Sequence, residues 1–157
     1  MTSPGKLLPS QKTDRLNGTQ PESRNQDLAT AFRRYGICEE RGSGLTKAVQ
    51  QVELYGLPPI EFFEGENFFK VIIRSPKTFA QMTGKERLLA CYQHSCLKHV
   101  SSDVMTNKSL RERLKMPERQ RSLVSLLIQE ALDQKLVKNA DPANKSKKFS
   151  EYLPYWA

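Results

Sequence analysis

Arg119, Ser122, Ser125, Leu126 and Gln129 fall on one arc of a helix, opposite the apolar Val124 and Leu127, and Arg121 lies near its first turn. On a helix that enters a DNA major groove, arginine pairs with guanine, while serine and glutamine adapt to several base edges. Arg119, Arg121, Ser122, Ser125 and Gln129 are therefore the candidates for reading bases, the two arginines first among them. Lys108, Arg111, Lys145, Lys147 and Lys148 flank this helix in sequence and suit contacts to phosphate. Glu118, Glu130 and Asp133 share the outer side and would repel DNA there. The alternative use of such a helix is as a protein-interaction or dimerisation surface, which an exposed Leu126 would serve.

Other groupings of reactive side chains carry less. Cys91, His94, Cys96 and His99 have zinc-ligand chemistry. On one helix, however, their offsets spread over about 140°, with His94 about 60° further out, so four ligands cannot converge. Cys96 and His99 instead share an apolar face with Tyr92, and core packing is expected. Glu39 and Glu40 are adjacent and point in different directions, unsuited to sharing a proton. No serine or cysteine sits in a nucleophile's sequence context, and no G-x-x-x-x-G-K-[ST] loop is present. No enzyme, no catalytic residue and no metal site is expected.

The elements that must position the arginines are a helix-turn-helix and a wing. Residues 107–114 read as a short helix with leucines four apart, stopped by Met116-Pro117. From Glu118, the residues Leu123, Val124, Leu127, Ile128 and Ala131 recur at helical spacing, predicting a helix of about four turns with that face on a core. Residues 136–138 and 149–155 read as strands around the turn Asp141-Pro142-Ala143-Asn144, a hairpin with a basic tip. A further helix from about Lys85 supplies core positions Leu88, Leu89, Tyr92, Cys96 and His99.

Upstream, a strand is expected at Lys6-Leu7-Leu8 and a mobile loop over residues 10–20. A helix follows, capped by Ser23 and buried through Leu28, Ala29, Ala31, Phe32 and Tyr35 up to Gly36. A second helix carries Leu45, Val49, Val52 and Leu54. Strands over 60–63 and 68–73 pair through the Gly65-Glu66-Asn67 turn. The expected organisation is α+β, with an α+β unit over residues 1–75 and a winged helix over 76–157. An open sheet edge near Lys6 or Val71 would favour a symmetric homodimer.

The chain has 157 residues and a formal net charge of +8. Residues 1–75 hold ten Lys and Arg against nine Asp and Glu, and residues 76–157 hold fifteen against eight. The basic excess thus travels with the helix-turn-helix, which points to double-stranded DNA as partner. Three cysteines form no disulfide framework, and neither a long apolar run nor a secretory pattern is present. The expected setting is soluble and cytoplasmic, with no membrane partner.

Ser3-Pro4-Gly5, Ser23-Arg24-Asn25, Glu40-Arg41-Gly42-Ser43-Gly44-Leu45, Gly56-Leu57-Pro58-Pro59 and the hairpin after them, together with the ending Tyr152-Leu153-Pro154-Tyr155-Trp156-Ala157, form a pattern. It resembles the C-terminal part of RecG-like proteins with a Schlafen-type AlbA domain, a family described as transcriptional regulators or ATP-dependent DNA helicases. The resemblance implies part of a divergent GHKL-like α/β sandwich ahead of the winged helix. It implies that Arg41, Gly42, Ser43 and Gly44 lie where a glycine-rich loop covers nucleotide phosphates, with backbone N–H groups free to approach an anion. It also implies that the magnesium-binding helix and several strands lie upstream, in a longer protein. ATP and magnesium would belong to that longer protein, and no cofactor is expected in these residues.

Overall fold

Aromatic and β-branched residues drive the first sheet, in which β1 (Thr2–Pro4), β2 (Glu61–Glu64) and β3 (Phe68–Ile72) run antiparallel in the order β1-β3-β2. The computed structural model describes residues 1–17, 20, 22–38, 42–141 and 150–157. The register pairs Thr2 with Lys70 and Glu61 with Ile72. Gly65 closes the β2–β3 hairpin, its N–H donating to Phe68 O at 2.8 Å. Any larger residue there would meet the Phe68 ring, 2.2 Å from an added Cβ.

The expected strand at Lys6-Leu7-Leu8 is not formed. Gly5, at φ +87°, turns the chain out of the sheet, and Leu7 N–H donates instead to the Glu64 side chain at 3.0 Å. Val71 is not on an open edge either. It belongs to the central strand, and its N–H donates to Met1 O at 2.9 Å. Of the two places where an open edge is expected, Val71 is thus interior, and the edges of the sheet are β1 and β2.

Helix α1 (Gln26–Arg34) is capped by Asn25, not Ser23: the Asn25 Oδ1 accepts from Leu28 N–H at 2.9 Å. Its expected core residues are largely outside, with Tyr35 81% exposed and Leu28 49%. Helix α2 (Gly44–Leu54) does bury Val49 and Val52, against Ile60 and Leu97, while Leu54 is exposed. Burying a side chain such as Ile60 is worth roughly 1.5–3 kcal/mol. Part of the segment expected to be a mobile loop is anchored: Leu16 and Asn17 are buried, and Tyr92 donates its hydroxyl to Asp14 O at 2.6 Å.

Helix α3 (Gly84–Val100) divides two cores, which explains burial on most of its faces. Leu97 joins the Val49, Val52 and Ile60 cluster. Leu88, Ala90 and Cys91 face the second core, built by α4 (Asn107–Arg113), α5 (Arg121–Asp133) and β4 (Val137–Asn139). Val124, Leu127, Ile128 and Ala131 form the buried stripe of α5. Leu123, expected on that stripe, is 45% exposed, because a position one residue before Val124 is rotated about 100° from it.

Strand β4 pairs antiparallel with β5 (Tyr152–Pro154), and a backbone bridge from Met105 to Tyr152 adds a short third rung. Helices α3, α4 and α5 each end in a left-handed non-glycine residue: Ser102, Lys115 and Lys135. The following N–H reaches back five residues each time, as from Met116 to Arg111 O at 2.9 Å.

Buried polar groups join the two cores. The Gln93 side chain both donates to Ile60 O (2.6 Å) and accepts from Ile60 N–H (3.1 Å). Glu53, on α2, faces His94 Nδ1 at 2.9 Å and Arg113 Nε at 3.3 Å.

Candidate nucleic-acid interface

The groove begins with the local chemistry of residues 106–121. Thr106 caps α4, its hydroxyl accepting from Ser109 N–H at 3.1 Å while Ser109 Oγ accepts from Thr106 N–H at 3.0 Å. The left-handed Lys115 ends that helix, Pro117 prevents its continuation, and the short 3-10 turn Glu118–Gln120 leads into α5. Buried Leu110 and Leu114 pull α4 onto the α5 stripe.

Between α4, α5 and β5 lies a groove of about 850 Å³. It brings together Lys108 and Arg111 from α4 with Arg121, Ser122, Ser125 and Gln129 from α5. Arg119 is not among its lining residues; it is exposed on the 3-10 turn. Lys145, Lys147 and Lys148, together with the expected Pro142-Ala143-Asn144 turn, lie outside the described residues.

Asn107 organises the groove and was not singled out by its sequence. Its Nδ2 donates to Ser125 Oγ (3.0 Å) and to Arg121 O (3.3 Å), tying α4 to the first turns of α5. Its Oδ1 accepts from Arg111 Nε at 3.2 Å, which aims that guanidinium. The available signal was the four-residue spacing of Asn107 and Arg111 on one helix face.

Electrostatically the wall is mixed. Lys108, Arg119 and Arg121 make no ion pair among the described residues. Glu151 also lines the groove, and Gln129 is tied to Asp133, its Nε2 donating at 2.9 Å. Leu126, at 68% exposure, stands in the same wall.

The Gly42-Ser43-Gly44 stretch enters α2, with Gly42 at φ +65° and Ser43 at the cap position without a side-chain cap bond. A cavity of about 560 Å³ beside Gly42 and Gly44 is also lined by Leu7, Glu22, Gln26 and Cys38. Arg41, and the Glu39-Glu40 pair, lie outside the described residues.

The cysteine and histidine side chains take separate roles. Burial pushes the Cys91 thiol up to about 12 and the Cys96 thiol up to about 11. His94 is held between Glu53 and Ser109 Oγ (3.1 Å), and His99 meets Trp156 edge-on at 5.2 Å. Among the described residues no three His, Cys, Asp or Glu side chains converge to hold a metal. Nor, among them, is any helix long and apolar enough to cross a membrane.

The fold is thus mixed α+β, a small antiparallel sheet with two helices beside a helical unit carrying a two-stranded hairpin. Residues 1–73 match the model of the family described as "Putative ATP-dependent DNA helicase recG C-terminal". That stretch is similar to a RecG-like, ATPase-associated segment, in agreement with the resemblance carried by its glycine and arginine motifs. No curated protein and no solved structure matches the chain.

Proposed function

We propose that residues 76–157 form a winged helix that binds duplex DNA, in a regulator of transcription whose first 75 residues derive from an ATPase-type domain. The observation that carries this reading is the α4–α5 groove: Lys108 and Arg121 line it without carboxylate partners among the described residues, and Asn107 aims Arg111 along the same wall. In this reading α5 enters the major groove. Arg121 and Ser122, on its first turn, reach base edges, while Lys108 and Arg111 contact phosphate. Arg119, outside the groove, serves the adjoining phosphate backbone. In this reading residues 76–157 act as a binding module.

Fluorescence anisotropy of a labelled duplex, read across a salt series, tests the proposal. The affinity should fall steeply with salt, and removing either phosphate-contacting cation should lower the slope by about one. Arg121→Ala should cost about 1–3 kcal/mol of binding to a selected site. Salt-insensitive binding, or none at low salt, would refute it. The exposed Leu126 favours a second reading, a protein-contact face. Under that reading Leu126→Ser abolishes partner capture and Arg121→Ala does not.

A further inference from the structure

A second cleft, of about 710 Å³, lies where the segment before residue 18, α2, β2, α3 and the C-terminal hairpin meet. It shares no lining residue with the α4–α5 groove, and shares only Leu16 with the cavity beside Gly42. Its volume is within the range of small-molecule sites, roughly 300–1,000 Å³.

Leu16, Val49, Ile60, Phe62, Leu89 and Leu136 supply apolar wall. Tyr92 and Tyr155 add stacked rings, 6.2 Å between centroids. This lining comes from both cores, so an occupant would touch each.

The charged groups at the cleft cancel. Arg74, Lys77 and Lys85 face Asp14, Glu61 and Glu86. Glu61 is bound by Arg74 Nε at 2.6 Å and Glu86 by Lys77 Nζ at 2.6 Å, while Asp14 accepts from the Tyr155 hydroxyl. The formal charges lining the cleft sum to zero, so no excess of either sign favours an ion.

One polar group is left over. Asn17 is only 7% exposed and lines the cleft; its Oδ1 accepts from Thr46 Oγ1 at 3.0 Å, but its Nδ2 is buried and finds no acceptor among the described residues. The other buried amide there, Gln93, has both ends taken by Ile60. A buried amide donor without an acceptor is unfavourable, and a ligand carbonyl would remove the deficit once the Asn17 side chain turns its Nδ2, which now has almost no accessible surface, toward the cleft.

We propose that this cleft binds a neutral, ring-bearing small molecule that is mostly apolar and carries a carbonyl-type acceptor for Asn17 Nδ2. The site lies between the two cores and is independent of the DNA reading.

The test is amide-detected NMR of the full chain, titrated with propiophenone as the neutral ketone. Propylbenzene serves as the analogue without an acceptor, and benzoate as the charged analogue. Propiophenone should saturably shift the Asn17 side-chain amide signals and those of the Trp156 indole, which donates to the cleft's Tyr92 hydroxyl at 3.0 Å. Asn17→Leu should weaken propiophenone about tenfold, the value of one buried hydrogen bond, and leave propylbenzene unchanged. Leu89→Trp, which fills the cleft from α3, should abolish both. Absence of a saturable shift, equal binding of propiophenone to Asn17→Leu, tighter binding of benzoate than of propiophenone, or undiminished binding to Leu89→Trp would each overturn the proposal.

Discussion

Glu53→Gln isolates the cost of a buried charge at the junction of the two cores. The Glu53 side chain is 13% exposed and the Arg113 side chain 3%, with Nε and Oε1 3.3 Å apart. Burial pulls the Arg113 pKa down, and Glu53 opposes that pull. Glutamine keeps the shape and the approach to His94 but removes the charge, leaving a guanidinium buried without compensation. The expected loss is about 3–5 kcal/mol. Against a total stability of roughly 5–15 kcal/mol, that is a large fraction. Replacing both partners, Glu53→Leu with Arg113→Met, should recover most of the loss, since neither charge is then desolvated. Recovery stays incomplete because Leu57 O also loses the Arg113 Nη2 donor at 2.8 Å, worth about 1 kcal/mol. Equilibrium urea unfolding of the wild type, Glu53→Leu, Arg113→Met and the double variant measures the coupling directly, with Glu53→Gln alongside for the cost of the lost charge. A loss below about 1 kcal/mol for Glu53→Gln, or additive losses in the double variant, would show that water or another anion already serves Arg113 and would refute the argument.

Two further predictions concern titrating groups. Ellman's reagent should titrate the exposed Cys38 in the native protein, while Cys91 and Cys96, buried and with thiols pushed up to about 12 and about 11, should respond only after unfolding. A second fast thiol in the native state would contradict the packing of α3. Glu86 is held below its ordinary value of 4.5, first by the hydrogen bond from Lys77 and next by that from Thr83 N–H. A depressed folded pKa contributes stability that is present above 4.5 and is lost as pH falls through the lower folded value. Glu86→Gln should therefore flatten the decline of the unfolding midpoint in acid, and an unchanged slope would exclude this carboxylate as the cause.

Much of the local structure is legible in the residues themselves. Thr106, Pro117 and the spacing from Val124 to Ala131 specify α4, the turn and α5, because caps, helix breaks and a four-residue apolar period are local properties. Gly65 and its aromatic flanks specify the β2–β3 hairpin in the same way. Six of the ten residues proposed for DNA line a single groove: helix phase orders Arg121, Ser122, Ser125 and Gln129 along α5, and the packing of α4 on α5 adds Lys108 and Arg111.

Partnership between distant segments was not legible. The amphipathic period of α1 announces an apolar face but names no neighbour, and Leu28, Phe32 and Tyr35 remain largely uncovered. Periodicity likewise places Arg119 on the outer arc, whereas the 3-10 turn before α5 rotates it away from the groove. β1 settles on β3 four residues before its expected place, because pairing across some 65 residues depends on where Gly5 turns the chain. Glu53, His94 and Arg113 are far apart in the chain, and nothing in the sequence links them. Only the packing of α2, α3 and α4 makes them one buried cluster, as their attraction becomes decisive once water has been removed. From sequence alone the chain reads as α+β, with a RecG-like segment ahead of the two helices α4 and α5. Tertiary structure decided which cations share a groove and which polar groups join the cores, because proximity and desolvation are properties of the folded chain alone.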